Sequence, residues 1–377
     1  MLGSLKISLL MGPVPIPVPH FVIEALTAIK ADMGSGETQS GFELNFDLPL
    51  RSPLRALFLG AGAQAAGGVP FMRVVLIVTI NGRAESIVDG VATDIEAQPS
   101  DSGNAKLVIK GKDLTSLMDI AQIPATPMPA MPPSARVLFL LSKYAAFGIV
   151  PQVIPSVIDE PPLPTEQIPQ QKGTDYAYIK KLAADAGYVF YIEPGPLPGM
   201  SKAYWGPEIR FGQPQPALTT GMNALNNVEQ MSFHLDREAK SIPIVYFHEA
   251  QSKLSIGLPI PDITPMNPPL GIVPPLPPKI EHLSDTGHLK PSLALMKGLA
   301  YVAQHSDAVF GSGTLDVARY GRVLKSRQLV GVRGAGLPYD GLYYVKNATH
   351  DIQRGAYKQT FTLARNGLYS TSPTVPA

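Results

Sequence analysis

The stretch Arg73–Ile80, RVVLIVTI, followed at once by Asn81 and Gly82, decides the fold class of this chain. Eight residues rich in β-branched and aliphatic side chains are typical of a buried strand. Asn-Gly is the strongest short signal for a tight hairpin turn. The residues after the turn, Ala84–Val91 and Ala92–Ala97, predict the returning strand. The sequence therefore predicts an antiparallel sheet here.

Strand signals extend to both sides of this hairpin. Gly41–Leu48 alternates apolar and polar residues, which is the period of a half-buried strand. The turn Asp101–Asn104 leads into a strand at Lys106–Lys110. A second group of predicted strands, separated by turns, lies towards the end of the chain: Val228–Leu235, Ile242–His248, Thr314–Arg319, Gln328–Arg333, Gly341–Ile352 and Tyr357–Arg365. Each group has the size of one small antiparallel barrel.

Helices are predicted mainly between the two β regions. Three segments share a capping residue at the start and apolar residues at helical spacing: Asp113–Ala121, Ala135–Phe147 with Ser134 as cap, and a helix capped by Thr174 and ended by Gly187. The last of these leads into a strand at Tyr188–Glu193, and a further helix is predicted at Ser292–Gln304.

Proline, at 39 residues, is the most unusual feature of the composition. It clusters at Pro13–Pro19, Pro124–Pro133, Pro151–Pro169 and Pro259–Pro278. Because proline lacks an amide donor and favours extended chain, the clusters predict ordered arms or linkers rather than sheet or helix.

The predicted fold class is α+β and mostly β, with two antiparallel β-barrel domains, a helical middle section and Pro-rich arms. The predicted divisions are a first β region at residues 1–115, a middle region at 116–225 and a second β region at 226–377. The arm at 256–280 interrupts the second β region.

The composition excludes several classes of protein. Of the 377 residues, 45% are hydrophobic and 16% are charged, which is too apolar for disorder and typical of a surface that meets other subunits. A net charge of +1 does not indicate electrostatic attraction to nucleic acid, so sequence-specific nucleic-acid recognition is not expected. The apolar stretches are too short to span a bilayer, and the prolines after residue 12 argue against a signal peptide, so stable membrane insertion is not expected. The absence of cysteine fits assembly in a reducing cytoplasm.

One motif matches the glycine fingerprint of dinucleotide-binding proteins. Gly60, Gly62 and Ala65 occupy its three small-residue positions. That fingerprint requires a helix to start at the loop, whereas Gly67-Gly68-Val69-Pro70 would end a helix after one turn. The glycine-rich segment Gly331–Gly336 fails for the same reason. Both are interpreted as small-residue loops.

No catalytic, cofactor-binding or metal-binding residue is predicted. The histidines His234, His248, His282, His288 and His305 lack the spacing of a zinc site and are interpreted as solvated or interface residues. The acidic residues Glu37, Glu43 and Asp47 are interpreted as solvated carboxylates. The aromatic residues around Tyr204 and Trp205 have no basic groove beside them and are interpreted as packing residues.

Several segments together resemble the tail hub proteins of contractile phages, of the late control protein D type. These proteins are related to the hub region of type VI secretion spike (VgrG) proteins. The matching segments include Asp89–Thr93, Gly111–Leu114, Lys143–Ala145, Gly148–Pro151, Thr174–Tyr188, Tyr204–Arg210, Tyr339–Val345 and Arg354–Arg365. Together they cover nearly the whole chain.

The resemblance implies a non-enzymatic subunit with two barrels like those of tail tube proteins, three copies of which form a ring. Such a homotrimer would join the six-fold tail tube to the three-fold central spike. The implied partners are the spike, the tube or tube-initiator protein, baseplate wedge proteins and the tape-measure protein. The implied location is a virion baseplate or injection particle assembled in the bacterial cytoplasm.

Three alternatives remain open from the sequence. A tube-initiator subunit would contain one barrel, and the two β regions argue against it. A receptor- or glycan-binding tail component could use Tyr204 and Trp205 as a sugar platform. An enzyme could be built on the loop Gly60–Ala65.

Overall fold

The computed structural model describes residues 5–35, 39–49, 71–99, 104–165, 167–248, 255–262, 268–287, 289–372 and 375. Strands dominate these residues and helices are few. Most strands belong to one large sheet, which is antiparallel except for a single parallel pair. The predicted mostly β fold is therefore confirmed.

The described residues of the first β region form seven strands and one short helix. They are β1 (Leu5–Gly12), β2 (Ile16–Pro17), α1 (His20–Ala25), β3 (Leu26–Gly34), β4 (Gly41–Pro49), β5 (Arg73–Ile80), β6 (Arg83–Pro99) and β7 (Asn104–Asp113). The predicted hairpin joins β5 to β6, and both turn residues have positive φ, 49° at Asn81 and 78° at Gly82. The two predicted returning strands form the single strand β6.

The middle region combines helices with short strands. They are β8 (Ile123–Pro127), α2 (Pro133–Ser142), β9 (Ile149–Val153), β10 (Gln170–Gly173), α3 (Asp175–Ala186), β11 (Val189–Pro194), β12 (Ser201–Gly206) and β13 (Gln215–Thr219). Short 3₁₀ helices occupy Leu114–Asp119, Ala145–Phe147 and Asn223–Leu225. Trp205, Ile179 and Leu140 belong to a hydrophobic core that the middle region shares with only a few residues of its neighbours.

The helix α3 follows the sequence prediction closely. The hydroxyl of Thr174 accepts a hydrogen bond from the Ala177 amide at 3.1 Å, and Gly187 ends the helix with a φ of 69°. Ile179, Leu182 and Ala183 are buried, as the helical spacing predicted.

The second β region contains the remaining strands and two helices. They are β14 (Val228–Leu235), β15 (Ser241–His248), β16 (Ser255–Pro259), β17 (Gly271–Val273), β18 (Lys279–Leu283), α4 (Pro291–Gln304), β19 (Val309–Asp316), α5 (Val317–Tyr320), β20 (Leu329–Arg333), β21 (Gly341–Gln353), β22 (Ala356–Arg365) and β23 (Leu368–Ser370). A 3₁₀ helix occupies Ser284–Thr286. Strands β16, β15 and β18 form a small separate sheet, and α4 packs on β15.

The two β regions share one thirteen-stranded sheet. Its strand order is β14-β19-β22-β21-β3-β4-β7-β6-β5-β1-β2, with β20 attached to β21 and β13 attached to β20. The junction is the antiparallel pair β21 and β3, which runs from Asn347 opposite Gly34 to Gln353 opposite Ala28. One hydrophobic core extends across the junction, from Phe46 in β4 to Phe361 in β22. This junction was not predicted from the sequence.

The proline clusters include strands, so the prediction that they form neither sheet nor helix was wrong. Four clusters contain or adjoin the short strands β2, β8, β9, β16 and β17. Each of these strands lies at the edge of its sheet or in a two-stranded pair. Proline is tolerated there because the amide that it lacks would face away from the neighbouring strand.

Two of the further differences from the predictions concern residues at the start of helices. The helix α2 starts at Pro133, so Ser134 lies inside its first turn and donates its hydroxyl hydrogen to Asp159 instead of capping. The strand expected at Thr314–Arg319 is β19, which ends at Asp316. The carboxylate of Asp316 then accepts the Ala318 amide at 2.8 Å and caps α5, because Asp competes for nearby amides.

Candidate functional site

A buried ion pair fastens the middle region to the first β region. Arg73 of β5 donates two hydrogen bonds of 2.7 Å to the carboxylate of Asp89 on β6. Its remaining donors reach the carbonyl oxygens of Phe147 at 2.8 Å and Gly199 at 2.9 Å. The hydroxyl of Ser201 on β12 donates to Asp89 at 2.6 Å. The Arg73 guanidinium therefore holds two loops of the middle region against the hairpin.

A second buried cluster fastens the middle region to the second β region. Arg210 donates to the carboxylates of Glu208 at 2.6 Å and Asp307 at 2.7 Å. Lys346 of β21 donates to Glu208 at 3.0 Å and lies 3.5 Å from Asp307. Arg210 also lies over the ring of Tyr344, 5.3 Å from its centroid. Two cations and two anions thus balance in a buried position.

The electrostatics of this cluster favour the charged form of every member whose pKa is shifted. Burial disfavours the charged form of Arg210, but the carboxylates of Asp307 and Glu208 outweigh burial and raise its pKa. Burial likewise opposes ionisation of Asp307, and Arg210 and Lys346 reverse the effect and lower its pKa. Arg210, Asp307 and Lys346 therefore stay charged near neutral pH, and the cluster acts as a fixed junction.

Arg327 joins all three regions. Its Nε donates to the carbonyl oxygen of Gly34 on β3 at 2.8 Å, and Nη1 lies 3.6 Å from the carboxylate of Glu193 on β11. The guanidinium covers the ring of Tyr191 at 3.9 Å from the centroid. The backbone of Arg327 has a φ of 64°, a conformation that residues other than glycine rarely adopt.

Sequence reasoning missed these three arginines as junction residues. The available signal was weak: Arg73 opens an otherwise apolar buried strand, and a charge in that position requires a buried partner. The partners of Arg73 lie 16 to 126 residues away along the chain, Asp307 lies 97 residues from Arg210, and Gly34 lies 293 residues from Arg327. No local pattern identifies these contacts.

Three of the histidines named in the sequence analysis contact aromatic rings. His282 stacks on Tyr246 and shares a 2.7 Å hydrogen bond with its hydroxyl, His234 stacks on Phe310, and His305 stacks on Tyr301. His288 and the side chain of His248 lie outside the described residues. In the described part of the chain, no group of three or more His, Asp or Glu residues could hold a metal ion.

Tyr204 and Trp205 are both buried, so they cannot form the sugar-binding surface considered in the sequence analysis. Trp205 is 0% exposed and meets Tyr188 edge-on, with ring centroids 4.9 Å apart. Tyr204 stacks on Tyr191 and donates its hydroxyl hydrogen to the carbonyl oxygen of Pro207 at 2.7 Å. The pair packs the middle region, as the packing interpretation expected.

The glycine motifs divide between described and undescribed residues. The loop Gly60–Ala65 and the acidic residue Glu37 lie outside the described part of the chain. The segment Gly331–Gly336 starts within β20 and ends in a turn, where Gly334 and Gly336 have φ values of 82° and 94°. No helix follows it before β21, so the segment is a strand that ends in a turn, whereas a small-residue loop was expected.

Exposed apolar side chains gather in two places. The first, the turn patch, consists of Val14, Ile16, Leu197 and Met200, with Pro15 beside Gly199. The second, called the arm patch, is a run of exposed residues along the Pro-rich arm, Ile272, Leu276 and Ile280, of which Leu276 is 89% exposed. Clusters of this kind are typical of surfaces that contact other subunits. Among the described helices, none combines the length and apolarity that crossing a membrane requires.

The fold is shared with solved structures of tail proteins. A tail protein from Neisseria meningitidis MC58 superposes with a TM-score of 0.64 at 14% identity, covering 97% of this chain and 98% of that one. The 43 kDa tail protein of prophage MuSo2 from Shewanella oneidensis gives 0.61 at 13% identity, over 96% and 99%. The Francisella PdpA–VgrG complex gives 0.62 at 9% identity, over 99% of this chain and 60% of that one.

The chain has the fold of these tail proteins. At these identities the likeness establishes the architecture alone. No family model matches the sequence, and no curated protein matches it.

Proposed function

We propose that this chain is a structural hub subunit of a contractile phage tail or of a related injection machine. Three copies form a ring that joins the six-fold tail tube to the three-fold central spike. The observation that carries the proposal is the full-length structural match to two tail proteins. In both comparisons the match covers at least 96% of this chain and of the tail protein. A single module would match only part of such a chain.

Two features of the structure support a role in assembly. The three buried arginine junctions bind the middle region to both β regions, and such contacts favour the stiffness that a platform for other proteins requires. The turn patch and the arm patch leave apolar side chains exposed, and a ring of subunits would cover them.

The proposal includes the domain division and the partners expected from the sequence. The two barrel domains comprise residues 1–115 and 226–377, with the connecting region at 116–225 and the arm at 256–280. The spike, the tube or tube initiator, wedge proteins and the tape-measure protein bind this hub. It works by shape and contact, without catalysis, in a particle assembled in the bacterial cytoplasm.

Electron microscopy of the purified chain tests the proposal. Class averages should show a three-fold ring with an open lumen, either for the chain alone or after addition of the spike. The buried position of Trp205 gives no support to the glycan-binding alternative, and an absence of rings in both samples would contradict the hub.

A further inference from the structure

Charged side chains form a row across the outward-facing side of the large sheet. Seven neighbouring strands, from β6 to β19, each contribute one residue, and each residue lies directly opposite the next one in the strand pairing. In order, the row consists of Asp94, Lys110, Glu43, Lys30, Asp351, Lys358 and Asp316. Negative and positive charges therefore alternate without a break from the first β region into the second.

Lys30 occupies the point in this row where the two β regions join. Its strand, β3, pairs with β4 on one side and with β21 on the other. Lys30 is exposed between buried Ile29 and Ala31, and it is the single cation of β3. It lies opposite Glu43 on β4 and opposite Asp351 on β21. One ammonium group thus faces one carboxylate of each β region.

The alignment of β3 with β21 is not set by a turn. In the hairpins β5–β6 and β21–β22, the short loops Asn81-Gly82 and Arg354-Gly355 fix the register of the two strands. The strands β3 and β21 lie more than 300 positions apart. Their alternating pattern excludes a slip of one residue, which would turn the core-facing side chains outward. A slip of two residues keeps the same side chains in the core, so alternation alone does not exclude it.

The charges on the outward face distinguish the observed register from both two-residue slips. In the observed register Asp351 lies opposite Lys30. A slip in one direction would place Asp351 opposite Asp32, which is a pair of like charges. A slip in the other direction would place Asp351 opposite Ala28 and leave Lys30 opposite Thr349. Opposite charges that face each other across two strands stabilise the pairing, and like charges destabilise it.

We propose that Lys30 specifies the register in which the two β regions of the chain join, through simultaneous attraction to Glu43 and Asp351. On the β4 side, a two-residue slip would place Glu43 opposite Asp32 in one direction and opposite an uncharged residue in the other, so both pairings of β3 favour one alignment. In that alignment the Thr349 hydroxyl donates a hydrogen bond of 2.8 Å to Asp32 across the junction. This role concerns how one chain reaches its structure and is independent of the proposed hub function.

A disulfide can report this register without background, because the chain contains no cysteine. Ala28 and Gln353 lie opposite each other on the outward face, next to the pair of Lys30 and Asp351. In the reporter chain, Ala28→Cys with Gln353→Cys, the two thiols meet when β3 and β21 align as observed. The reporter chain is unfolded in urea and refolded in an oxidising buffer. The folded fraction is isolated on a sizing column, and the ratio of cross-linked to free chains is measured by mass spectrometry.

Four variants of the reporter chain separate the effect on register from a general effect of surface charge. Lys30→Arg keeps the cation, Lys30→Gln removes both attractions, and Lys30→Glu turns both into repulsions. The matched control is Lys112→Glu, which makes the same change in net charge on the same face of the sheet. Lys112 is exposed on β7, and the residues opposite it, Gly41 and Val91, are uncharged.

The ratio of cross-linked to free chains should be unchanged by Lys30→Arg and by Lys112→Glu. It should fall roughly two- to thirty-fold for Lys30→Gln, which is the range expected for the loss of two cross-strand charge pairs, and further for Lys30→Glu. Refolding in about 1 M salt should reduce both falls, because exposed charges are then screened. Equal ratios for the Lys30→Gln and Lys112→Glu chains would overturn the proposal. So would falls that salt leaves unchanged, or a reporter chain that forms no disulfide.

Discussion

Replacing Asp307 by asparagine should destabilise the middle region strongly. The side chain is 8% exposed and accepts hydrogen bonds from both terminal nitrogens of Arg210, with Lys346 at 3.5 Å. Removing one partner of a buried ion pair costs about 3–5 kcal/mol, because the remaining charge is left without compensation. Arg210 keeps its bonds to Glu208, so the expected loss is about 3 kcal/mol, at the lower end of that range.

Urea unfolding followed by the fluorescence of Trp205 measures this loss. Trp205 is the single tryptophan of the chain and is fully buried, so its emission reports on the middle region. The control is Asp285→Asn, which affects an ion pair with Lys297 in which the Asp285 side chain is 70% exposed. Exposed pairs contribute at most about 1 kcal/mol.

A double variant separates the loss of an ion pair from the loss of charge balance. Arg210→Met with Asp307→Leu removes one cation and one anion and leaves Lys346 paired with Glu208 at 3.0 Å. Balanced apolar replacement of a buried pair is often close to neutral, so this variant should be more stable than Asp307→Asn alone. The reasoning is refuted if the double variant is the less stable of the two, or if Asp307→Asn costs no more than the exposed control.

Three further changes have defined outcomes. Burial lowers the pKa of His350 to about 4, against its ordinary 6.5, so the unfolded chain binds the proton first as the pH falls. The free energy of unfolding should therefore decrease by up to about 3 kcal/mol as the pH drops from 6.5 towards 4. A His350→Phe variant should lose that part of the pH dependence of its urea midpoint. Gly148→Ala should destabilise by more than Gly355→Ala in the same assay, because both have positive φ but only the Gly148 Cβ would meet a backbone atom, the Gly199 oxygen at 2.3 Å. Trp205→Ala should lower the thermal unfolding midpoint and cost about 3–5 kcal/mol by cavity formation, whereas an unchanged midpoint would contradict its place in the core.

Local patterns predicted the elements whose structure depends on neighbours in sequence. The Asn81-Gly82 hairpin forms because both residues tolerate positive φ, and α3 forms because Thr174 caps it and Gly187 ends it. The strand β14 occupies the predicted residues, Val228–Leu235. In each case the side chains that decide the structure lie within a few residues of one another.

The features missed by the sequence analysis depend on contacts between distant segments. The pairing of β3 with β21 joins residues more than 300 positions apart, and no periodicity within either strand specifies the partner. The prolines in β2 and β9 argued against strands, yet edge positions accept them. The sequence analysis missed the arginine junctions for the same reason, since Arg210 and Asp307 are separated by 97 residues.

The central claim is that three copies of this chain form a ring, and the mass of the purified chain in solution tests it most directly. Light scattering behind a sizing column, with and without the spike protein, gives that mass. The account predicts three times the 40.3 kDa of one chain, in at least the sample that contains the spike, after subtraction of the spike itself. A mass of one chain in both samples would contradict it.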